Sequence, residues 1–405
     1  MLCRRLTVLG LNGVLKERYL AQFCRLVTTG SLALLPTLPF AVTATPCMMA
    51  QTYTVLHNFG RDGDGIGPWG LIKDATGIYG ITQNGGTTGC SASQFGCGIL
   101  YRLNKTGYTV MHYFAGSDGE EPAGRLIRDS AGNLYATAAF GGRGHGVVFM
   151  IDAAGTETVL YNFTGGADGS QPEAGLVRDS AGNLYGTTEF GGTTGQGVVF
   201  QLNTAGTLTP LHSFAGPDGE QPTSPLTRDS AGNLYGTTQF GGPSGGVGVV
   251  FKVDASGTYT VLHTFKGRDG AYPSAAGLVR DFEDNLYGTT ANGGATNAGV
   301  VFELENNGTY RLLHEFSQAD GQNPNAGMTI DSAGDLYGTT AGGGSANYGV
   351  VFKLNKTGCT VLHNFTGADG SFPLAAMIQD SVGNLYGTTF NGGSLGKGVL
   401  FKLTP

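Results

Sequence analysis

The sequence is poor in charged side chains and has almost no tryptophan. Charged residues make up 13% of the 405 residues, against about 25% in a typical soluble domain, and Trp69 is the single tryptophan. The net charge of −7 is thinly spread, and beyond residue 50 no run of Lys or Arg could neutralise a phosphate backbone. Nucleic acid is therefore excluded as a predicted partner. The absence of Trp-Asp pairs also makes WD repeats a poor match.

Familiar catalytic motifs are missing as well. The sequence contains no Gly-x-Ser-x-Gly elbow, no P-loop and no His-Glu-x-x-His zinc motif. Carboxylates are numerous, but a glycosidase needs two of them at a fixed separation, which a sequence does not define. Asp62-Gly63-Asp64-Gly65 lacks the spaced ligands and terminal Glu of an EF-hand loop, so we interpret it as a turn and not as a calcium site. We predict no catalytic residue, no metal site and no cofactor.

What the sequence has in abundance is glycine and repetition. Glycine accounts for 71 residues, more than double the usual share of about 7%. A Leu-Tyr-Gly-Thr-Thr core recurs about every 50 residues, a period typical of β-propellers and related repeat arrays. Its tyrosines are Tyr79, Tyr135, Tyr185, Tyr235, Tyr287, Tyr337 and Tyr386.

Each repeat divides into four short runs rich in Val, Leu, Tyr, Phe and Thr and bounded by Gly, Asn or Asp, which is the pattern of β-strands. In the repeat that begins at Ala174 the predicted strands are 175–178, 184–188, 197–202 and 208–214. An Asp-Ser-Ala-Gly-Asn turn joins the first two, and a longer link follows the fourth. Four antiparallel strands and a crossing link make one propeller blade.

Counting strands predicts how the ring closes. The repeats begin with an isolated strand of the fourth type, 52–59, and end after a strand of the third type, 398–403. The N-terminal strand can therefore complete the last blade. We predict an all-β fold, a seven-bladed β-propeller in residues 51–405, closed by pairing of its two ends.

The first 50 residues do not fit the repeat. Basic residues precede an apolar stretch, 26–44, that ends in Val42-Thr43-Ala44, so residues 1–50 are interpreted as an export signal, with an uncleaved N-terminal anchor as the alternative. Of the six cysteines, Cys90 and Cys97 flank the one loop that is longer than its counterparts. A disulfide there suits an oxidising compartment, and a metal pair is disfavoured because two further ligands are missing nearby.

The repeated Asp-Ser-Ala-Gly-Asn-Leu-Tyr-Gly-Thr-Thr, the following Gly-Gly and Gly-Val-Val-Phe, and the Val-Leu-His-x-Phe and Asp-Gly-x-x-Pro elements resemble the GloVer tandem repeat of bacterial choice-of-anchor surface proteins. The resemblance covers residues 52–405. It implies an exported bacterial protein of unassigned activity, attached by a terminal sorting signal. This chain ends at Thr404-Pro405 without a hydrophobic tail, which departs from C-terminal anchoring. The Asp-x-x-Gly-Asn-Leu-Tyr hairpin is more distantly similar to NHL propellers.

Six histidines share one repeat position on the predicted outermost strand, and Tyr161 takes it in the remaining copy. They are His57, His112, His212, His263, His314 and His363. Each belongs to a different blade, too far from the others to share a metal, so we interpret them as groups that pack on or bond to their own blade. His145 lies instead in a loop beside Arg143, and both are candidate ligand-binding residues.

Two further charged sets recur. Each link carries an aspartate four residues before a proline, and we interpret this aspartate first as a turn former. A circle of such carboxylates on one face could, however, meet a cation or sugar hydroxyls. Asp118, Asp168 and Asp218 are therefore candidate ligand-binding residues.

Near the end of the innermost strand, the arginines either approach the central channel or pair with the aspartate that follows each of them. These are Arg128, Arg178, Arg228 and Arg280.

Two functional classes remain. The first is a non-catalytic exported module that binds a protein or a glycan on the loop face, where the copies differ most. Its candidate residues there are Glu189, Phe190, Gln239, Phe240, Asn292, Phe390 and Asn391. The second is a polysaccharide hydrolase or lyase with its site at the channel mouth. We favour the first, in a monomer that is secreted, periplasmic or at the cell surface, with membrane contact only through an uncleaved N-terminal segment.

Overall fold

The computed structural model describes residues 51–86, 90, 93–243, 245–273 and 277–404. The export signal predicted in residues 1–50 lies outside the described residues. Within them, the structure contains no helix with the length and apolar character needed to cross a membrane.

The described residues form short antiparallel strands. The first thirteen are β1 (Thr52–Asn58), β2 (Ile66–Lys73), β3 (Ile78–Asn84), β4 (Ile99–Asn104), β5 (Gly107–Tyr113), β6 (Glu120–Arg128), β7 (Leu134–Phe140), β8 (Val147–Ile151), β9 (Glu157–Asn162), β10 (Val177–Arg178), β11 (Leu184–Thr188), β12 (Val198–Leu202) and β13 (Leu208–Ser213). The remainder are β14 (Thr227–Arg228), β15 (Leu234–Thr238), β16 (Val249–Val253), β17 (Tyr259–Thr264), β18 (Val279–Arg280), β19 (Leu286–Thr290), β20 (Val300–Leu304), β21 (Tyr310–Glu315), β22 (Thr329–Ile330), β23 (Leu336–Thr340), β24 (Val350–Asn355), β25 (Gly358–Asn364), β26 (Ile378–Gln379), β27 (Leu385–Thr389) and β28 (Val399–Thr404).

These strands make seven four-stranded sheets, which are the blades of a seven-bladed β-propeller. Six blades are consecutive, from β2–β5 to β22–β25. The seventh has the order β1-β28-β27-β26, so the N-terminal strand supplies its outermost member. Thr52 pairs with Thr404 and Val55 with Phe401 across this junction. The predicted fold class and ring closure are confirmed, because the pairing of β1 with β28 joins the first and last repeat strands in one blade.

The innermost strand is shorter than predicted in five blades. In the repeat that begins at Ala174, the expected strand 175–178 is reduced to Val177–Arg178. The preceding backbone turns to the neighbouring blade, because the Ala174 carbonyl accepts a hydrogen bond (3.0 Å) from the Thr137 hydroxyl. Bonds to the adjacent blade thus replace part of the ladder within the blade.

The Asp-x-x-x-Asn-Leu-Tyr motif is a hairpin closed by its own side chains. Asp179 accepts hydrogen bonds from the backbone N–H of Asn183 (2.8 Å), from its side-chain amide (2.8 Å) and from the Tyr185 hydroxyl (3.1 Å). Burial alone would raise the pKa of Asp179, but these bonds stabilise the carboxylate and lower it. The repeated core tyrosine therefore serves the scaffold.

The arginines at the ends of the innermost strands contact the preceding blade. The Arg178 guanidinium lies over the Tyr135 ring, 5.9 Å from its centroid, and Arg228 lies over Tyr185 at 5.7 Å. Arg128 forms an ion pair with Asp74 of the preceding blade. Among the described residues, the ion pairs of these arginines join Arg128 to Asp74 and Arg280 to Asp284, so the alternative in which each pairs with the aspartate directly after it is wrong.

Apolar packing between blades forms the core. Phe163, which follows β9, packs edge-on against Phe200 of β12 in the next blade, with ring centroids 5.4 Å apart, and both are fully buried. Phe59 makes the same contact with Tyr101 at 5.2 Å, from the last blade to the first. Full burial of such a ring contributes about 1.5–3 kcal/mol. Each blade is thus stabilised largely by its neighbours.

Candidate functional site

The links and the Gly-Gly loops lie on the same face because their backbones pair. Ser170 of one link exchanges hydrogen bonds with Phe190, whose carbonyl accepts from Ser170 at 2.8 Å. The same bridge joins other links to the residue that follows strand two by two positions: Glu220 with Phe240, Ala271 with Asn292, Gln322 with Gly342, and Ser371 with Asn391. This pairing fixes one loop face on the ring.

The residue before the link proline has a left-handed backbone. Gln171, with φ of 54°, donates its N–H to the His145 carbonyl of the preceding blade (3.0 Å). The equivalent non-glycine residues are Glu121, Gln221, Tyr272, Asn323 and Phe372. Strain of this kind persists only where the surrounding structure holds it, and it is common at binding sites. It aims the residue after the proline toward the central channel.

A pocket of about 510 Å³ opens at the mouth of the channel on this loop face. Its lining combines aromatic rings with amides and two carboxylic acids. The lining residues are Trp69, Glu173, Glu189, Thr223, Gln239, Phe240, Tyr272, Ala291, Asn292, Asn323, Asn325 and Leu374. A cavity of about 390 Å³ adjoins it along the innermost strands. Arg125 lies in this cavity, at a repeat position where other blades carry residues such as Gly70, Gly175 and Pro225.

Two acidic side chains at the mouth interact directly. Glu173 and Glu189 line the same pocket, and their carboxyl groups are near enough to influence each other's pKa. Burial, followed by the Glu173 charge, raises the pKa of Glu189 to about 7, and burial also raises the pKa of Glu173. The pKa of Glu121 is raised too, by burial and then by Glu173 and Glu120. The mouth therefore holds two adjacent acids, Glu173 and Glu189, whose raised pKa favours the protonated form.

Two overlapping stretches of the chain, residues 88–281 and 246–405, match the model of the Gloeobacter/Verrucomicrobia repeat family. The chain belongs to this family. No curated protein sequence matches it.

Solved structures resemble this Gloeobacter/Verrucomicrobia repeat propeller at low sequence identity. The extracellular domain of BT4673 from B. thetaiotaomicron superposes with a TM-score of 0.59 at 10% identity, over 87% of this chain and 40% of that one. The chain thus spans about two-fifths of that neighbour's length. The gluconolactonase XC5397 from Xanthomonas campestris gives a TM-score of 0.44 at 16% identity, over 70% and 84% of the two chains. At 10% identity the first likeness concerns the fold alone.

In this repeat propeller, four of the residues singled out from the sequence meet at the mouth: Glu189, Gln239, Phe240 and Asn292. Phe390 packs edge-on against Trp69 at 6.3 Å and so supports the pocket wall. Phe190 and Asn391 form the backbone bridges to the links.

The other sequence candidates lie away from the pocket lining. The ring of His145, which neighbours Arg143, lies over Gly165 of the following link. The carboxylates of the links face the outermost strands: Asp118 meets His112 at 2.9 Å, Asp168 accepts from the Tyr161 hydroxyl at 3.0 Å, and Asp218 meets His212 at 2.8 Å. These link carboxylates therefore do not form a circle at the mouth.

Sequence reasoning missed the residue after the link proline, which in several blades lines the mouth. Trp69, Glu173, Thr223, Asn325 and Leu374 all occupy this position. The signal was present, since this is among the most variable positions in otherwise regular repeats. Variation at a fixed position in a symmetric ring marks where the symmetry is broken for recognition.

Proposed function

We propose that this chain is an exported, non-catalytic binding module and that an oligosaccharide is its ligand at the channel mouth. The observation that carries the proposal is the pocket lining, in which Trp69, Phe240 and Tyr272 stand among amide side chains. The apolar stretch before the repeats supports export.

The chemistry of the mouth suits a sugar. Aromatic faces offer flat apolar surface for the C–H faces of a pyranose ring, and Phe240 is 37% exposed. The amides of Gln239, Asn292 and Asn323 can both donate to and accept from hydroxyl groups. A concave apolar wall with a few polar groups is the usual form of a small-ligand site.

The Glu173–Glu189 pair is the observation that favours the second candidate, a polysaccharide-acting enzyme. A retaining glycosidase holds its two carboxyl groups about 5–5.5 Å apart and an inverting one about 6.5–9.5 Å. Glu173 and Glu189 lie together at the mouth, and the raised pKa of both would suit a general acid.

The test is a glycan array with the full chain, followed by calorimetric titration of each hit and chromatography of the glycan after incubation. We expect saturable binding that F240A weakens at least about tenfold, as loss of a central aromatic contact does. The matched control is F282A, because Phe282 is 96% exposed and does not line the pocket. Absence of any saturable glycan, or equal binding by F240A and F282A, would overturn the proposal, and cleaved product would favour the enzyme.

A further inference from the structure

Along the outermost strands, neighbouring blades meet at a repeated aromatic cleft. In one of them the Tyr259 ring lies 3.7 Å over the imidazole of His212, whose Nε2 meets the Asp218 carboxylate at 2.8 Å. The Tyr259 hydroxyl donates to the Asp218 carbonyl oxygen at 2.5 Å. The same arrangement occurs in the clefts of His57 with Asp64 and Tyr108, His263 with Asp269 and Tyr310, and His363 with Asp369 and Tyr53. The tyrosine covers the histidine and closes the cleft.

The cleft between the first two blades breaks this pattern. Glu157 of β9 pairs with Ile151 in the same register that pairs Tyr259 with Val253, so a carboxylate stands where the tyrosine ring would lie. Among the described residues, the Oε1 atom of Glu157 is buried and accepts no hydrogen bond. A buried carboxylate oxygen without a partner is costly, and a bound cation would offset that cost.

Glu157 lies close to two other side chains that could ligate a metal ion. His112 of β5 and Asp118 of the following link lie across the blade interface, with the His112 Nε2 atom 2.9 Å from Asp118 Oδ2. One ligand atom from each of the three side chains lies within 4.8 Å of the others. The side chains of His112 and Asp118 are each 18% exposed, so solvent reaches the group.

We propose that His112, Asp118 and Glu157 form a binding site for a divalent cation of the zinc type, at the interface of the first two blades. One imidazole nitrogen and two carboxylate oxygens are a donor set that zinc accepts, with water in the fourth position. The nitrogen ligand and the small number of oxygens make the site a poor one for calcium. The cation would neutralise the two neighbouring carboxylates and bridge adjacent blades. This site is separate from the channel mouth.

The repeat offers its own comparison sites. In the cleft of His314 and Asp320 the tyrosine position holds Cys359, which brings a thiol within the same distance range. A zinc ion there would have a sulfur ligand, which a cobalt substitute reports as an intense thiolate-to-metal absorption band. The site of Glu157 has only nitrogen and oxygen ligands, and its cobalt spectrum would lack that band.

The experiment uses the full chain after removal of metal with EDTA. Zinc is titrated by calorimetry into wild type and E157Y, and bound zinc is counted after dialysis. E157Y restores the tyrosine found in four other clefts, so we expect it to fold and to bind one zinc ion fewer, with affinity at this site reduced by at least about tenfold. Zinc held by other groups, including the cysteines of residues 1–50, is equal in both proteins and cancels in the difference.

The converse variant is Y310E, which places a carboxylate beside His263 and Asp269. We expect Y310E to bind one zinc ion more than wild type, and the Y310E/H263A double variant to lose it. Equal zinc content in wild type and E157Y, with E157Y melting cooperatively, would overturn the proposal. So would a zinc ion lost in C359S but retained in E157Y.

Discussion

The Tyr108 ring of the first blade stacks on the His57 imidazole of the last blade, with centroids 4.1 Å apart and planes within 3° of parallel. The Tyr108 hydroxyl donates a hydrogen bond of 2.7 Å to the Asp64 carbonyl oxygen in the link between them. Beside the strand pairing of β1 with β28, this contact joins the two ends of the ring. Closure therefore depends on side chains as well as on the sheet ladder.

We expect Y108F to lower the apparent free energy of unfolding by about 1 kcal/mol, because it removes one hydrogen bond and keeps the stacked ring. Y108A should cost about 3–5 kcal/mol, as aromatic truncations in cores do. Urea unfolding followed by circular dichroism measures both. Y348F is the control, since Tyr348 is 40% exposed, and an equal effect of Y108F and Y348F would contradict the assigned role.

The histidines of the clefts predict loss of stability in mild acid. Burial lowers the pKa of His212, although its bond to Asp218 acts in the opposite direction, and His57, His263 and His363 are lowered for the same reason. The unfolded chain, with a histidine pKa of about 6.5, then binds more protons than the folded chain, so stability falls as the pH drops below about 6.5. Melting temperatures recorded from about pH 8 down to about pH 5 test this.

H212Y is the matched variant, because the repeat itself carries Tyr161 at this position. We expect H212Y to reduce the acid dependence while remaining folded. An unchanged pH profile in H212Y would show that other groups cause the effect.

The glycine before strand three is predicted to resist replacement. Gly197 has φ of +102°, and a Cβ there would lie 2.5 Å from Cδ of Pro222 in the next link. We expect G197A to cost about 1–3 kcal/mol for overpacking, in addition to about 1–2 kcal/mol for the left-handed backbone. G195A should show only the backbone cost, because Gly195 has φ of +82° and open space around it. A Cβ at Gly197 would also lie 2.5 Å from the Thr188 carbonyl oxygen, so equal destabilisation of the two variants would argue against this crowding as a whole.

The loop that is longer than its counterparts is closed by a disulfide between Cys90 and Cys97, whose Cα atoms are 5.4 Å apart. Trypsin would release both cysteines in one peptide, 74–102, since no Lys or Arg lies between them. The protein is to be isolated from an oxidising compartment. We expect the mass of this peptide before reduction to be lower by two hydrogen atoms than its mass after reduction. A mass unchanged by reduction would show free thiols.

The acid pair at the mouth predicts a gain of stability on amide substitution. With the pKa of Glu189 raised to about 7, above its ordinary value of about 4.3, the folded protein resists deprotonation and loses stability as the pH rises between these values. E189Q removes this effect, so it should be more stable than wild type at about pH 8 and similar at about pH 5. Melting temperatures of both proteins at the two pH values test this, and the same difference at both pH values would contradict the raised pKa of Glu189.

The sequence predicted the repeated parts of this molecule because the same local pattern recurs in every repeat. Strand content, the Asp179 hairpin and the closing role of residues 52–59 follow from local patterns and from counting. The predicted length of the innermost strand was too long. Hydrogen bonds between blades, such as that from Thr137 to Ala174, replace part of its ladder, and the sequence of a single repeat does not show them.

Sequence by itself determined the architecture: the period, the turn residues and the unmatched strands at the two ends favour a closed ring of seven blades, in which each blade buries its apolar face against the next. Tertiary structure decided which side chains meet. Glu189 and Phe240 line one pocket together with Trp69 and Tyr272. Glu157 reaches His112 and Asp118 across a blade interface. The physical reason is that these contacts join different repeats, and the twist and spacing of packed blades, which no local pattern encodes, set the distances between them.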